Sequence, residues 1–317
     1  MSDKRKTPPH RLLVSHGDLE PIASTKFKPP RAARRPVPRE GLIKRLMEGR
    51  RKRCTVLLGP AGSGKTNVLV AWRKALMAID FDVVWLSVQP EDNQPARFFE
   101  CLLAALSEVD PHAVAEAETL LTHDAGQTAT EQWVLALAQG LGGRERELVL
   151  VIDDLHWVDA QLIMSALQWL LDYAPPCLHL VLSSRSAPPL ALGRLRTQRE
   201  LAEYDLRDLR FTVEESEQFL REQLGEISAR DARKLHELTD GWIAGLQLFA
   251  LDLKNKQGER FAPVEMRDAR SFASYFEREI LEHLAPDDLE LLTRLSICSR
   301  FCASLAAALL GQPRAVA

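Results

Sequence analysis

The run Gly59-Pro60-Ala61-Gly62-Ser63-Gly64-Lys65-Thr66 places glycines, a lysine and a threonine where a phosphate-binding loop needs them. It satisfies every position of the pattern G-x4-G-K-[ST], a match that composition alone produces on the order of once in a hundred chains of this length. Glycines let backbone N–H groups turn inward around phosphate oxygens, and a following helix N-terminus adds partial positive charge. In that arrangement Lys65 bridges the β- and γ-phosphates and the Thr66 hydroxyl ligates Mg2+. The alternative is a glycine-rich turn with no ligand. A second pair, Asp153-Asp154, follows the apolar run 148–152, 88 residues after Lys65. A carboxylate at the end of a buried strand is costly unless something pairs with it. A magnesium nucleotide does so, with Asp153 holding the metal directly or through water. Asp154 is then placed to polarise an attacking water as general base, which points to hydrolysis of ATP beyond binding. The alternative is a turn or cap acid, a role better suited to Asp159. Arg185, after Ser183-Ser184 at the end of another apolar run, is placed to touch the γ-phosphate; otherwise it is a loop arginine on the surface.

These residues need a scaffold that gathers strand ends at one edge. Cys54–Leu58, Val83–Val88, Leu148–Ile152, Leu178–Leu182 and Ala202–Leu206 read as strands buried on both faces. They alternate with helical stretches near 64–79, 95–108, 130–141 and 159–173. That alternation predicts an α/β fold with a parallel sheet flanked by helices, whose ligands sit at the carboxyl ends of the strands. After 207 the strands stop, and amphipathic helices are expected near 213–223, 228–239, 241–253, 271–284 and 286–297. The expected organisation is a basic, proline-rich arm over 1–37, a nucleotide-binding domain over 38–206, a helical domain over 207–258 and a further helical domain over 259–317.

Composition narrows the class. The 317 residues are 46% apolar and 27% charged, ordinary for a globular protein of roughly two domains. No apolar stretch is long enough to span a membrane, and Met1–Lys6 has no apolar segment behind its charges, so a cytoplasmic location is expected. Five cysteines without a CxxC pair suggest reduced thiols; Cys298 and Cys302 share a helix face but lack a partnering histidine, so core packing suits them. The net charge of −3 conceals an asymmetry, for residues 1–53 carry +11 and the remainder −14. With Phe27 as its sole aromatic, the basic segment is better suited to pairing with the acidic body or to solvation than to nucleic acid.

The ordered set of motifs resembles the N-terminal half of the large ATP-dependent LuxR-type transcriptional activators, the MalT-like branch of the STAND signalling ATPases. The resemblance covers nearly all of 19–312. It is carried by Ser24-Thr25-Lys26-Phe27-Lys28-Pro29-Pro30, Val37-Pro38-Arg39-Glu40-Gly41-Leu42-Ile43, the phosphate loop, and Trp85-Leu86-Ser87 with Glu91-Asp92-Asn93-Gln94-Pro95-Ala96-Arg97-Phe98. Ile152-Asp153-Asp154, Ser184-Arg185 and Gly241-Trp242-Ile243-Ala244-Gly245-Leu246-Gln247-Leu248 complete it. The resemblance implies that 259–317 is winged-helix-like, that Arg39 lies near adenine and ribose, and that Ile243 stands where relatives carry the proline of a Gly-x-Pro base contact. Trp242 reads as packing at a helix start.

The resemblance also implies a mechanism. An ADP-bound resting form opens on exchange for ATP and self-associates, and hydrolysis resets it slowly. Cofactors are then ATP or ADP with Mg2+. The family's C-terminal sensor and DNA-binding domains have no counterpart in these 317 residues, so no sequence-specific DNA contact is expected from this chain. An AAA-type motor or loader and a nucleotide-stabilised scaffold use the same loop and aspartate pair. A motor also needs a sensor arginine in its helical part, for which Arg221, Arg230 and Arg233 are candidates by location alone.

Overall fold

The computed structural model describes residues 24–31, 36–121, 127–255 and 284–296, with the single positions Glu277 and Leu281. Most of the expected arm, the expected helix over 271–284, both Cys298 and Cys302, and most of the winged-helix-like segment lie outside the described residues.

Five strands form one parallel sheet: β1 (Cys54–Leu58), β2 (Asp82–Ser87), β3 (Leu148–Asp153), β4 (Leu178–Ser184) and β5 (Leu201–Tyr204). Their order is β2-β3-β4-β1-β5. Every residue of β3 and β4 is buried, which explains their uninterrupted apolar runs. Each large aliphatic side chain so buried contributes about 1.5–3 kcal/mol. Register then brings the functional ends to one edge. Leu58 pairs with Ser184, Ile152 with Leu182 and Ser87 with Asp153. The fifth strand starts one residue earlier than the sequence suggests and stops at Tyr204, with Leu201 and Tyr204 supplying its buried positions.

The first of two compact units comprises residues up to 59 together with 65–205. Its helices are α1 (Glu40–Glu48), α2 (Lys65–Met77), α3 (Pro95–Ser107), α4 (Pro111–Leu121), α5 (Gln127–Leu141), α6 (Gln161–Tyr173) and the short α7 (Gly193–Thr197). Proline opens α3 and α4, where a missing N–H costs nothing. Helix α4 is absent from the sequence expectation: its single apolar face, with Ala113, Val114 and Ala117 buried, is too small-residued to announce itself. Phe99 of α3 stacks on Trp133 of α5 at 4.8 Å between ring centroids, joining the two helices in the main core. The described cysteines, Cys54, Cys101 and Cys177, are free; burial pushes the Cys54 thiol up to about 12 and Cys101 to about 11, leaving both protonated and unreactive.

A buried ionic cluster ties residues 24–28 to this unit. Lys26 Nζ lies 2.6 and 2.7 Å from the two Asp92 oxygens, and Arg97 Nε donates to Asp92 Oδ1 at 3.0 Å. All three side chains are almost fully buried. The Gln89 backbone N–H also donates to Asp92 at 2.8 Å. Lys26 therefore pairs with the acidic body, one of the two roles its segment suggested, and it does so in the interior. Burial of a charge is tolerable because opposite charges and hydrogen bonds surround it.

The second unit comprises 60–64 and the residues from 206 onward. It contains α8 (Leu206–Leu209), α9 (Val213–Leu224), α10 (Ala229–Thr239), α11 (Ile243–Asn255) and α12 (Pro286–Leu295). A Thr212/Glu215 capping box opens α9, and the Ser228 hydroxyl caps α10. Leu209, Phe211, Phe219, Leu220, Ala232, Leu235, Leu246, Phe249, Ala250 and Leu295 are its buried apolar side chains among the described residues. Gly241 takes φ +69, and a Cβ there would stand 2.3 Å from Phe211 O, so only glycine passes between α10 and α11.

Replacing Asp92 by Ala leaves two buried cations facing each other. The expected loss is about 3–5 kcal/mol of unfolding free energy, read from urea denaturation. Lys26→Met, which leaves the Asp92–Arg97 pair, should cost distinctly less. Equal stabilities of wild type and Asp92→Ala would show that the cluster does not hold the fold.

Candidate phosphate-binding site

The phosphate loop leaves β1 at Gly59 and enters α2 at Lys65. Gly59 N–H donates to Ser184 O at 3.2 Å, continuing the β1–β4 ladder by one residue. Gly62 and Gly64 then take positive φ (+69 and +85), the left-handed turns that the glycines permit. Lys65 is buried, and its ammonium donates to Gly59 O at 2.6 Å across the loop.

The loop's carbonyls point toward the start of α11, in the unit to which 60–64 belongs. Trp242 Nε1 donates to Ala61 O at 3.2 Å, and Ala244 N–H donates to Gly62 O at 3.1 Å. In a trans peptide the C=O and the next N–H face opposite ways. The N–H groups of Gly62 and Ser63 therefore point away from α11; that of Ser63 spans the loop to Pro60 O at 3.3 Å. Ile243 also closes on the loop: a Cβ on Gly64 would stand 2.5 Å from its Cδ1. Trp242 thus has a polar contact with the loop that packing at a helix start does not describe. Its signal in the sequence was only a tryptophan beside Gly241.

At the carboxyl edge of β3, Asp153 is buried and accepts from Thr66 Oγ1 at 2.9 Å and from Asp154 N–H at 3.1 Å. Burial pushes its carboxyl above the ordinary carboxylate range, and the Asp154 charge adds to this; the Ser183 and Thr66 hydroxyls and the Asp154 amide oppose it. Asp154 sits at φ +61, ψ +37, a left-handed conformation that a non-glycine residue adopts at some cost. Its carboxyl is raised by burial, and Lys65 and then Arg185 counter the shift. Lys65 is lowered by burial, against the pull of Asp154 and Asp153. His156 Nδ1 lies 3.8 Å from Asp154 Oδ1.

The structure therefore brings Lys65, Thr66, Asp153, Asp154 and Arg185 into one electrostatic neighbourhood. Arg185 is half-buried, with its guanidinium carbon 5.9 Å from the Trp157 ring centroid. Arg39 sits half-buried immediately before α1. Ile243 is placed against Gly64. Of the arginines considered for a motor sensor, Arg221 pairs with Glu217 at 3.0 Å on α9, and Arg230 and Arg233 are exposed on α10. Among the described residues no group of three or more His, Cys, Asp or Glu could hold a metal, and no helix is long and apolar enough to cross a membrane. A nucleotide's magnesium does not need such a group. The hard oxygens of Thr66 and Asp153 side by side fit a Mg2+ completed by phosphate and water.

The AAA ATPase domain family matches residues 40–183, and the MalT winged helix domain family matches 277–317. The serine/threonine-protein kinase PknK of Mycobacterium tuberculosis (strain CDC 1551 / Oshkosh) is 31% identical over 293 residues, which cover 92% of this chain and 26% of that protein. The HTH-type transcriptional regulator MalT of Serratia proteamaculans (strain 568) is 29% identical over 280 residues, 87% of this chain and 30% of the regulator. The chain spans about a quarter to a third of the length of these curated relatives. Among solved structures, a signal transduction ATPase with numerous domains from Pyrococcus horikoshii, carrying a tetratricopeptide repeat sensor, superposes with a TM-score of 0.54. It is 16% identical and is matched over 91% of this chain and 41% of its own. A Walker-type ATPase of Pyrococcus abyssi gives 0.53 at 15% identity, over 87% and 83%. Both share the P-loop NTPase fold of this chain.

Two substitutions test the loop's support. Trp242→Phe keeps the ring and deletes the donor to Ala61 O; a loss of about 0.5–1.5 kcal/mol in urea unfolding is expected. Gly64→Ala should weaken the loop conformation, because the left-handed φ strains any residue with a Cβ and the end of the Ile243 side chain must shift to admit it; its readout is weakened fluorescent-nucleotide binding. Wild-type behaviour of either variant would contradict the contact it removes.

Proposed function

We propose that this chain, an AAA-type P-loop ATPase homologous to the MalT transcriptional regulators, is the ATP-binding and slowly ATP-hydrolysing switch of such a regulator. The observation that carries the reading is the Thr66–Asp153 hydrogen bond, with Lys65 close enough to feel the charge of Asp153. One hydroxyl, one carboxylate and one ammonium together are the groups a magnesium triphosphate needs, and this supports the reading.

Each residue then has a role that its position supports. Amides of Gly62 to Lys65 and the α2 N-terminus hold phosphate oxygens, and Lys65 moves its ammonium from Gly59 O onto the β- and γ-phosphates. Thr66 and Asp153 hold the magnesium, which neutralises charge on those phosphates when bound. Asp154, whose carboxylate is not committed to Thr66, accepts the proton of the attacking water. Arg185 faces the same charges and distinguishes a γ-phosphate from its absence. By the MalT homology Arg39 is assigned to the base and ribose, and Ile243 stands at the position of the relatives' base-contacting proline. The finer proposals, that exchange of ADP for ATP opens the chain and lets it self-associate, follow the MalT homology, as does a cytoplasmic location. The sensor and DNA-binding functions of such a regulator are not assigned to these 317 residues.

Lys65→Ala should remove ATP binding by at least tenfold in a titration with magnesium. Asp154→Asn should bind ATP nearly normally and lose most single-turnover hydrolysis. Arg185→Ala should keep ADP affinity while weakening ATP binding or its hydrolysis; equal loss for both nucleotides argues against the sensor role. Size-exclusion mass in ADP and in ATP separates the readings: assembly in ATP with slow turnover supports the switch. Fast steady-state turnover in a ring supports a motor, and binding without any cleavage supports a scaffold. Absence of adenine-nucleotide binding with magnesium overturns the proposal.

A further inference from the structure

The turn after Asp154 carries a tryptophan that the proposed chemistry does not use. Leu155–Trp157 forms a single 3-10 turn, closed by Trp157 N–H to Asp154 O at 3.2 Å and Val158 N–H to Leu155 O at 3.0 Å. Buried Leu155 and Val158 anchor it on both sides. The Trp157 ring is thereby turned under the Arg185 guanidinium, 5.9 Å from ring centroid to carbon. A guanidinium over an indole face is attracted by the ring quadrupole, and indole is the strongest aromatic partner.

The far side of the same turn is held by one side chain. Asn93 Oδ1 accepts from the N–H groups of Asp159 and Ala160 at 3.0 and 2.9 Å, while its Nδ2 donates to Asp159 Oδ1 at 2.7 Å. Three hydrogen bonds from one amide fix where the chain leaves the turn and enters α6. Asn93 is itself fixed, because its neighbour Asp92 is locked in the buried cluster with Lys26 and Arg97. The path is contiguous: buried carboxylate, Asn93, turn 155–160, Trp157, Arg185.

We propose that Trp157 is a positioning residue for Arg185, and that Asn93 sets the turn that presents its ring. The inference rests on the assignment of Arg185 as the group that reads the γ-phosphate. Arg185 extends from the end of β4, and a flexible guanidinium there has many rotamers. The indole face restricts them to those near Asp154 and Lys65, whose charge balance Arg185 already affects. A preplaced guanidinium forfeits less rotamer entropy on meeting a phosphoryl group. No atom of Trp157 has to touch nucleotide for this to work.

A double-mutant cycle on the full chain tests it, with single-turnover ATP hydrolysis, ATP and ADP titrations, and thermal melting for each variant. Trp157→Leu should slow hydrolysis or weaken ATP binding by roughly three- to thirty-fold, the range of an aromatic–cation contact, with ADP affinity unchanged. Trp157→Phe should recover most of that loss. In the Arg185→Ala background Trp157→Leu should add nothing, because its effect passes through the guanidinium. Additive losses, or equal losses for ATP and ADP, would overturn the proposal and make Trp157 a packing residue. If Trp157→Leu fails to fold, Asn93→Ala and Trp157→Phe carry the test: an ATP-selective loss in the former that vanishes without Arg185 supports the path, and an unselective one refutes it. Normal ATP handling by Arg185→Ala would sink both this inference and the sensor assignment. A normal Trp157→Leu beside an impaired Arg185→Ala would sink this inference alone.

Discussion

A carboxylate at the end of a buried strand constrains everything around it. Asp153 closes β3 with its side chain almost out of solvent, where an unpartnered charge costs several kcal/mol. The partners it finds are the Thr66 hydroxyl and the Asp154 amide, and both are gifts of the topology. Thr66 is the second residue of α2, so the bond exists only if the loop after β1 is the right length to start the helix above the edge of β3. Parallel pairing through β4 sets the two strand ends at that height. Burial raises the Asp153 carboxyl rather than lowering it, so the hydrogen bonds alone do not satisfy the charge. A cation bound beside Asp153 would offset that burial, which is the physical argument behind the magnesium role proposed for it.

The loop meets a second constraint from its outer side. A cradle of amides requires the carbonyls of the same peptide units to go elsewhere, and an isolated loop would surrender them to water. Here Ala61 O and Gly62 O are taken by Trp242 and Ala244. The loop conformation and the start of α11 are therefore one hydrogen-bonded object. Whatever shifts the loop peptides changes the partners of α11 directly, without needing a base contact to carry the message. This gives the Gly241-Trp242-Ile243 segment a physical meaning that its sequence alone does not carry.

Much of this was legible because it is local. The phosphate loop, the Asp pair and Ser184-Arg185 announce themselves through a few adjacent residues and the apolar run before each. The strands were readable for the same reason: burial on both faces leaves few polar positions to interrupt them, such as Thr55 in β1 and His179 in β4. What was illegible depends on partners far away in sequence. Trp242 looks like a packing residue until its indole is seen to meet a carbonyl 181 positions earlier. Lys26 looks like one more basic residue in a polar arm, yet it is interior because Asp92 and Arg97 wait 66 and 71 residues on. Helix α4 escaped because alanines bury a face without raising its hydrophobicity. The left-handed turn at Asp154 has no sequence mark at all, since aspartate tolerates that conformation without requiring it.

The charges at the sheet edge decide which interactions can discriminate between nucleotides. Lys65 and Arg185 supply two positive charges, and Asp153 and Asp154 two negative ones, so these four side chains cancel. A polyphosphate arriving there would gain little from net charge; it would be held by the loop dipoles, the helix terminus and its own metal. Those contacts serve the phosphates nearest the loop and are common to a diphosphate and a triphosphate. Telling the two apart then falls to a cation whose reach extends past the loop. Lys65 serves the β-phosphate that both nucleotides carry as well as the γ-phosphate, so the sharper response is the one proposed for Arg185, which follows the end of the neighbouring strand β4. Its response is sharp only if its resting position is defined, which is why the aromatic face beneath it matters more than its single contact energy suggests.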